Sequence, residues 1–220
     1  MSKALKEAIN ARDIDGLARL LAAGESPNLS PETLSYTPLA GAVTSLQTLP
    51  NGTPPGSIDA VVLLLRYGAD VNALDKEHSE TALSLAVEIK HLPAMRLLLS
   101  AGADPNVGYI DAETPLGFCA RRGFHEMARL LLRCGATETI DKYGGSAGMN
   151  PLGYAASQLD VEMVKLMLEF GADPDVLDLD YESARDRIRE FPRFRFEGKT
   201  PETPENLARY QEIRRLLDLE

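Results

Sequence analysis

Aliphatic residues come along this chain in short runs, and a glycine follows each one. Leu20-Leu21, Leu63-Leu64-Leu65, Leu97-Leu98-Leu99, Leu130-Leu131-Leu132 and Leu166-Met167-Leu168 lead into Gly24, Gly68, Gly102, Gly135 and Gly171. The glycines sit in related strings: Tyr67-Gly68-Ala69-Asp70-Val71-Asn72, Ala101-Gly102-Ala103-Asp104-Pro105-Asn106, Cys134-Gly135-Ala136-Thr137 and Phe170-Gly171-Ala172-Asp173-Pro174-Asp175, with a weaker copy at Ala23-Gly24-Glu25-Ser26-Pro27-Asn28. They are spaced 44, 34, 33 and 36 residues apart, a period that signals stacked repeats. A second series precedes the first: Thr37-Pro38-Leu39, Thr81-Ala82-Leu83, Thr114-Pro115-Leu116 and Asn150-Pro151-Leu152. These predict helix starts, with Thr or Asn capping free amides and Pro in the first turn, where its missing N–H costs nothing.

From Thr81 to Gly102, Thr114 to Gly135 and Asn150 to Gly171 the interval is 21 residues each time. Each unit therefore reads as cap, short helix, tight turn, second helix, glycine stop, the glycine suiting a left-handed cap. Small residues on the first helix (Ala86, Cys119-Ala120, Ala155-Ala156) let neighbouring backbones approach. The second helix carries aliphatics at helical spacing, as in Met163, Val164, Leu166, Met167 and Leu168. No single pair buries these faces alone, so the units must stack.

This pattern resembles the ankyrin repeat, with its Thr-Pro-Leu-His start and Gly-Ala-Asp-Val-Asn close. The resemblance implies an all-α ankyrin-repeat solenoid of stacked helix-turn-helix units with finger loops. As one domain over 1–220 it would comprise a capping unit at 3–29, unit 2 at 33–72 with an inserted loop at about 45–57, unit 3 at 77–106, unit 4 at 110–138 and unit 5 at 146–175. An insertion at 176–199 and a C-terminal cap at 200–220 would follow. The family histidine is replaced by Ala40, Ser84, Gly117 and Gly153, which implies missing bonds between loops and lower stability than a consensus array. Within the second insertion, Tyr181 to Phe191 is predicted to form an amphipathic helix, and Arg193-Phe194-Arg195-Phe196 a short strand or packed loop. Thr200 to Leu217 resembles a closing unit, with Ile213, Leu216 and Leu217 on its second helix.

Composition adds a charge argument. The 220 residues carry a formal net charge of −10, a field that repels nucleic acid and anionic membrane and favours a basic partner. Apolar runs such as Ala60 to Leu65 are too short to span a bilayer. The N-terminus lacks a signal-peptide pattern, and the two cysteines, Cys119 and Cys134, suit a reducing compartment, so a cytoplasmic location is expected. His78, His91 and His125 share no metal-ligand spacing. Gly144 to Gly148 lacks the Gly-Lys-Ser/Thr ending of a phosphate loop and reads as a flexible finger. No nucleophile, base and oxyanion donor assemble. The chain is expected to be no enzyme and to need no metal or cofactor.

The resemblance further implies a binding surface of fingers before each Thr-Pro-Leu and a palm of first helices. Mapped onto this sequence, the fingers offer Thr33, Leu34, Tyr36, Glu77, His78, Glu80, Ile110, Asp111, Glu113, Ser146 and Met149. The palm offers Thr44, Ser45, Glu88, Ile89, Arg121, Arg122, Ser157 and Gln158. Tyr36, Ile89, Ile110 and Met149 would form the buried centre, and Glu77, Glu80, Glu88, Asp111 and Glu113 would meet a basic partner. The expected function is non-enzymatic binding of a protein by a free monomer, as an inhibitor or toxin-neutralising immunity protein. The alternative is an adaptor or structural element acting through self-association or the 176–199 insertion.

Overall fold

In a computed structural model, the structure describes residues 3–28, 37–48, 55–74, 80–107, 113–189, 194–195, 198–199 and 203–219. The chain divides into two compact units, 1–110 and 111–220. In the first unit α1 (Lys3–Ala11) pairs with α2 (Ile14–Ala22), α3 (Pro38–Thr44) with α4 (Asp59–Arg66), and α5 (Ala82–Glu88) with α6 (Leu92–Ser100). First helices stack on first helices, α1 on α3 and α3 on α5, and α2 packs on α4. The second unit repeats the scheme with α7 (Pro115–Arg122) and α8 (His125–Arg133), then α9 (Pro151–Ser157) and α10 (Val161–Glu169).

The starts follow the capping chemistry. Thr37 Oγ1 accepts from Ala40 N at 3.0 Å, Thr81 Oγ1 from Ser84 N at 3.1 Å, Thr114 Oγ1 from Gly117 N at 2.9 Å and Asn150 Oδ1 from Gly153 N at 2.7 Å. Each bond satisfies an amide that the first helical turn leaves without an intrahelical partner. Second helices use other caps: Asp13 for α2, the His91 ring nitrogen for α6 and Asp160 for α10. The five motif glycines take φ between 85° and 105°, the left-handed stop in which a side chain would be strained. Leu39, Leu83, Leu116 and Leu152 of the first helices are buried with Leu64, Leu98, Leu131 and Leu166 of the second.

Within each of the two compact units, bonds between neighbouring repeats run through the turns near the motif glycines, a link the missing histidines had left unaccounted for. Asn28 Nδ2 donates to Gly68 O at 3.0 Å while its Oδ1 accepts from Asp70 N at 2.8 Å. Asn72 does the same one unit on, to Gly102 O at 3.2 Å and from Asp104 N at 2.8 Å. In the second unit Asp141 takes this place and accepts from Asp173 N at 3.0 Å.

The last helix pair differs from expectation. In place of a helix over Tyr181 to Phe191, the described residues 181–189 form only α11 (Ala184–Arg187), because Tyr181 is left-handed (φ 60°) and Ser183 caps the turn that follows. This short helix packs on α9, and α12 (Pro204–Leu216) packs on α10. The two are thus the first and second helices of one further pair. Ser183 lies 12 residues after Gly171, the same distance that separates Gly102 from Thr114. The extra chain departs between α11 and α12, where β1 (Phe194–Arg195) pairs antiparallel with β2 (Gly198–Lys199). It is tied back by Tyr210 Oη, which donates to Arg189 O at 3.0 Å. The earlier excursion also leaves between paired helices, after α3. Its ends meet where Gly56 N donates to Ser45 O at 2.7 Å, and positions 49–54 lie outside the described residues.

Candidate functional site

Of the side chains singled out from the sequence, Thr33, Leu34, Tyr36, Glu77, His78, Ile110 and Asp111 lie outside the described residues. In the first unit Glu88 is exposed, Ile89 is half-buried, and Glu80 is buried. In the second unit Arg122 and Ser146 are exposed, and Arg121, Ser157 and Gln158 are half-buried. Glu113 and Met149 are buried, 3% and 7% exposed. Glu80, Glu113 and Met149 are thus buried in the free chain, where the mapping expected them on the binding surface.

The inward turn of Glu113 has a local cause. Gly117 stands at a family histidine position, and a side chain there would meet Glu113 Cγ at 3.2 Å. On the other side, a Cβ on Gly145 would lie 2.9 Å from the Glu113 carboxylate. The two glycines leave room for the acid, and Arg121 neutralises it through Nε at 2.9 and 3.1 Å and Nη2 at 2.7 Å. Such a two-nitrogen grip is the strongest side-chain ion pair available. Beside it Tyr154, fully buried, donates its hydroxyl to Gly144 O at 3.0 Å. Burial, then the Glu113 charge, push the Tyr154 phenol up to about 12 against the opposing pull of Arg121. Gly144 also bridges to Met149, its N donating to Met149 O at 3.1 Å. The Gly144 to Gly148 segment is therefore a bonded turn and not the flexible finger expected.

Three of the predicted palm residues meet. Arg121, Arg122 and Gln158 line one open cleft of about 620 Å³ with His125, Asp160 and Arg209. Gln158 Nε2 donates to Arg121 O at 3.1 Å, joining the ends of α7 and α9. The Arg121 and Arg122 guanidiniums lie 5.1 and 5.5 Å from the centroid of the Phe118 ring. Phe118 in turn meets Phe124 edge-on at 6.2 Å. His125 Nε2 lies 2.7 Å from Asp160 Oδ2, so the start of α8 is fastened to the cap of α10. Arg122 has no carboxylate partner among the described residues.

The cleft offers charge and hydrogen bonds. Cys119 is fully buried, and burial, then Glu113, raise its thiol far above the ordinary range, the opposite of an activated nucleophile. Among the described residues no three His, Cys, Asp or Glu side chains gather as a metal site. No described helix is long and apolar enough to cross a membrane.

The comparisons with known proteins bear on the fold. The family model described as ankyrin repeats in three copies matches residues 107–178, and the single ankyrin repeat model matches residues 78–108. The nuclear factor NF-kappa-B p105 subunit of Gallus gallus is 39% identical over 88 residues, which are 40% of this chain and 9% of that protein. The chain spans less than a third of the length of the curated relatives it first matches. An ankyrin repeat domain from Acinetobacter baumannii superposes with a TM-score of 0.73 at 24% identity, over 98% of this chain and 96% of that one. A chain in the complex of a predatory endopeptidase from Bdellovibrio bacteriovorus with an immunity protein gives 0.65 at 24% identity, over 84% and 90%. At that identity the likeness is one of fold.

Proposed function

This chain is an ankyrin-repeat protein of the all-α solenoid class, and we propose that it holds a basic protein partner as an inhibitor or toxin-neutralising immunity protein. Ankyrin repeats are protein–protein interaction modules, generally scaffolds without catalysis. The observation that carries binding at this face is the meeting of Arg121, Arg122 and Gln158 in one open cleft, while the basic character of the partner rests on the net charge of the chain alone. Arg122 rests on the Phe118 ring and leaves its N–H groups to a carbonyl or carboxylate of the partner. The acidic surface, net −10, draws a basic protein towards it and sets the encounter rate. A cytoplasmic setting accords with the two unpaired cysteines. The immunity role gains support from the fold shared with a chain of the endopeptidase–immunity complex, and the partner is a proposal from charge.

Affinity capture from native-source lysate tests this, with wild type against an Arg122→Glu/Gln158→Lys pair. A basic protein that wild type retains and the pair loses supports binding at the cleft. Retention should weaken as salt rises from about 0.05 M to about 0.5 M, since exposed charges are screened over a few ångströms at the upper value. If the captured protein is the chain itself, the module serves self-assembly instead.

A further inference from the structure

The loop between α10 and α11 is built more firmly than a connection needs to be. At its centre Asp178 is buried, and its carboxylate holds four donors: Asp180 N at 2.9 Å, Glu182 N at 3.3 Å, and Nε and Nη2 of Arg187. The backbone closes over it, Asp178 N donating to Glu182 O and Tyr181 N to Asp178 O, both at 3.1 Å. A lateral bond from Leu179 N to Gly148 O at 3.1 Å fastens the loop to the neighbouring turn. Gly148 lets this approach happen, since a Cβ there would fall 2.6 Å from Leu179 Cδ1.

What this frame displays is apolar. Leu177, Leu179 and Tyr181 are 50%, 58% and 83% exposed. Tyr181 also sits at φ 60°, where a residue with a Cβ is disfavoured and Gly or Asn costs less. The other described non-glycine residues at positive φ, Arg12, Lys90, Leu159 and Asp218, each close a helix C-terminus, where the left-handed turn is part of the stop. Tyr181 closes no helix and packs on little of its own chain. Backbone strain held in place by surrounding bonds clusters at ligand clamps and other functional sites.

We propose that Leu177, Leu179 and Tyr181 form a pre-built apolar anchor that enters an apolar pocket ringed by lysine or arginine on the partner protein. This rests on the chain being a protein-binding module and adds the anchor and the character of the pocket. Tyrosine on a rigid support loses little conformational freedom on binding and is enriched among residues that dominate interfaces. The charge complement comes from the same loop. Positions 173 to 182 hold five acids and no base. The side chains of Asp175, Asp180 and Glu182 are 62%, 65% and 50% exposed, whereas Arg185 and Arg187, which pair with them, are 30% and 10% exposed. The rim seen by a partner is negative around an apolar tip.

The test uses the full chain as bait in native-source lysate, as wild type, Tyr181→Gly, Tyr181→Asn and Arg122→Glu. The protein enriched by wild type is then purified and titrated against each. Both Tyr181 variants should weaken the complex by about tenfold or more. Tyr181→Gly should also raise the melting temperature of the free chain by about 2–4 °C, as the strained backbone is relieved. Unchanged affinity in both Tyr181 variants with loss in Arg122→Glu overturns the anchor and leaves the binding module standing. No protein enriched over a bait-free control overturns the module and the anchor with it.

Discussion

Glu113 shows what one buried charge asks of its surroundings. Its side chain is 2% exposed and Arg121 is the partner that makes burial tolerable. Arg121→Met should cost roughly 3 kcal/mol in a urea unfolding series, because an uncompensated carboxylate stays behind. Adding Glu113→Gln to Arg121→Met should recover much of that loss, which a double-mutant cycle reads directly. Asp141 is the opposite case, an acid where an amide fits better. It accepts from Asp173 N as Asn28 and Asn72 accept in their turns, but it has no N–H to return to Gly171 O. Burial, then the Asp173 charge, raise its carboxyl above the usual range against that hydrogen bond. The fold therefore favours protonated Asp141, and its contribution is present below the ordinary carboxylate pKa and lost as pH rises through the raised value. Asp141→Asn should stabilise the chain by about 1 kcal/mol at neutral pH. The gain should shrink as pH falls, measured by denaturation at several pH values.

At the scale of the helix, Asp160 has two duties. It caps α10 through Met163 N at 3.1 Å and fastens His125 at the start of α8. Asp160→Ala should cost about 2 kcal/mol, whereas Asp160→Ser should cost about half as much, keeping a cap oxygen but losing the histidine. The caps of the first helices, unlike that of Asp160, were legible in the sequence because a Thr or Asn followed by Pro or Ala and then Leu carries its own local reason. The first helix of the final pair was not. Ser183-Ala184-Arg185 has neither the proline nor the leucine of the other starts, and its helix lasts one turn. The inward path of Glu113 was illegible for another reason. It depends on Gly145, 32 residues away in sequence, and no spacing rule links an acid to a distant glycine. Arg121, Arg122 and Gln158 were named as palm residues only through the family resemblance, and their common cleft emerged from how α7 and α9 pack.

For the molecule as a whole, each unit contributes its own stability and that of its contacts with neighbours. Helix α12 rests on α10 and buries Ile213, with Leu217 just beyond its end, while most of its surface meets water. Ile213→Ala should speed hydrogen exchange throughout α12 and leave the amides of α7, α8 and α9 unchanged, which would mark the closing pair as a separately opening layer. Protection lost equally across all these helices would mean that they open as one.

Both excursions of the chain leave and return at the same point of the repeat, the turn between paired helices, and Gly56 N bonded to Ser45 O shows how closely the two ends can be held. For protein engineering, that turn is a splice port. A peptide tag or fluorescent reporter grafted at the matching position beside Lys90, with its own ends close together, should ride outside the stack and leave the pitch of the helices untouched.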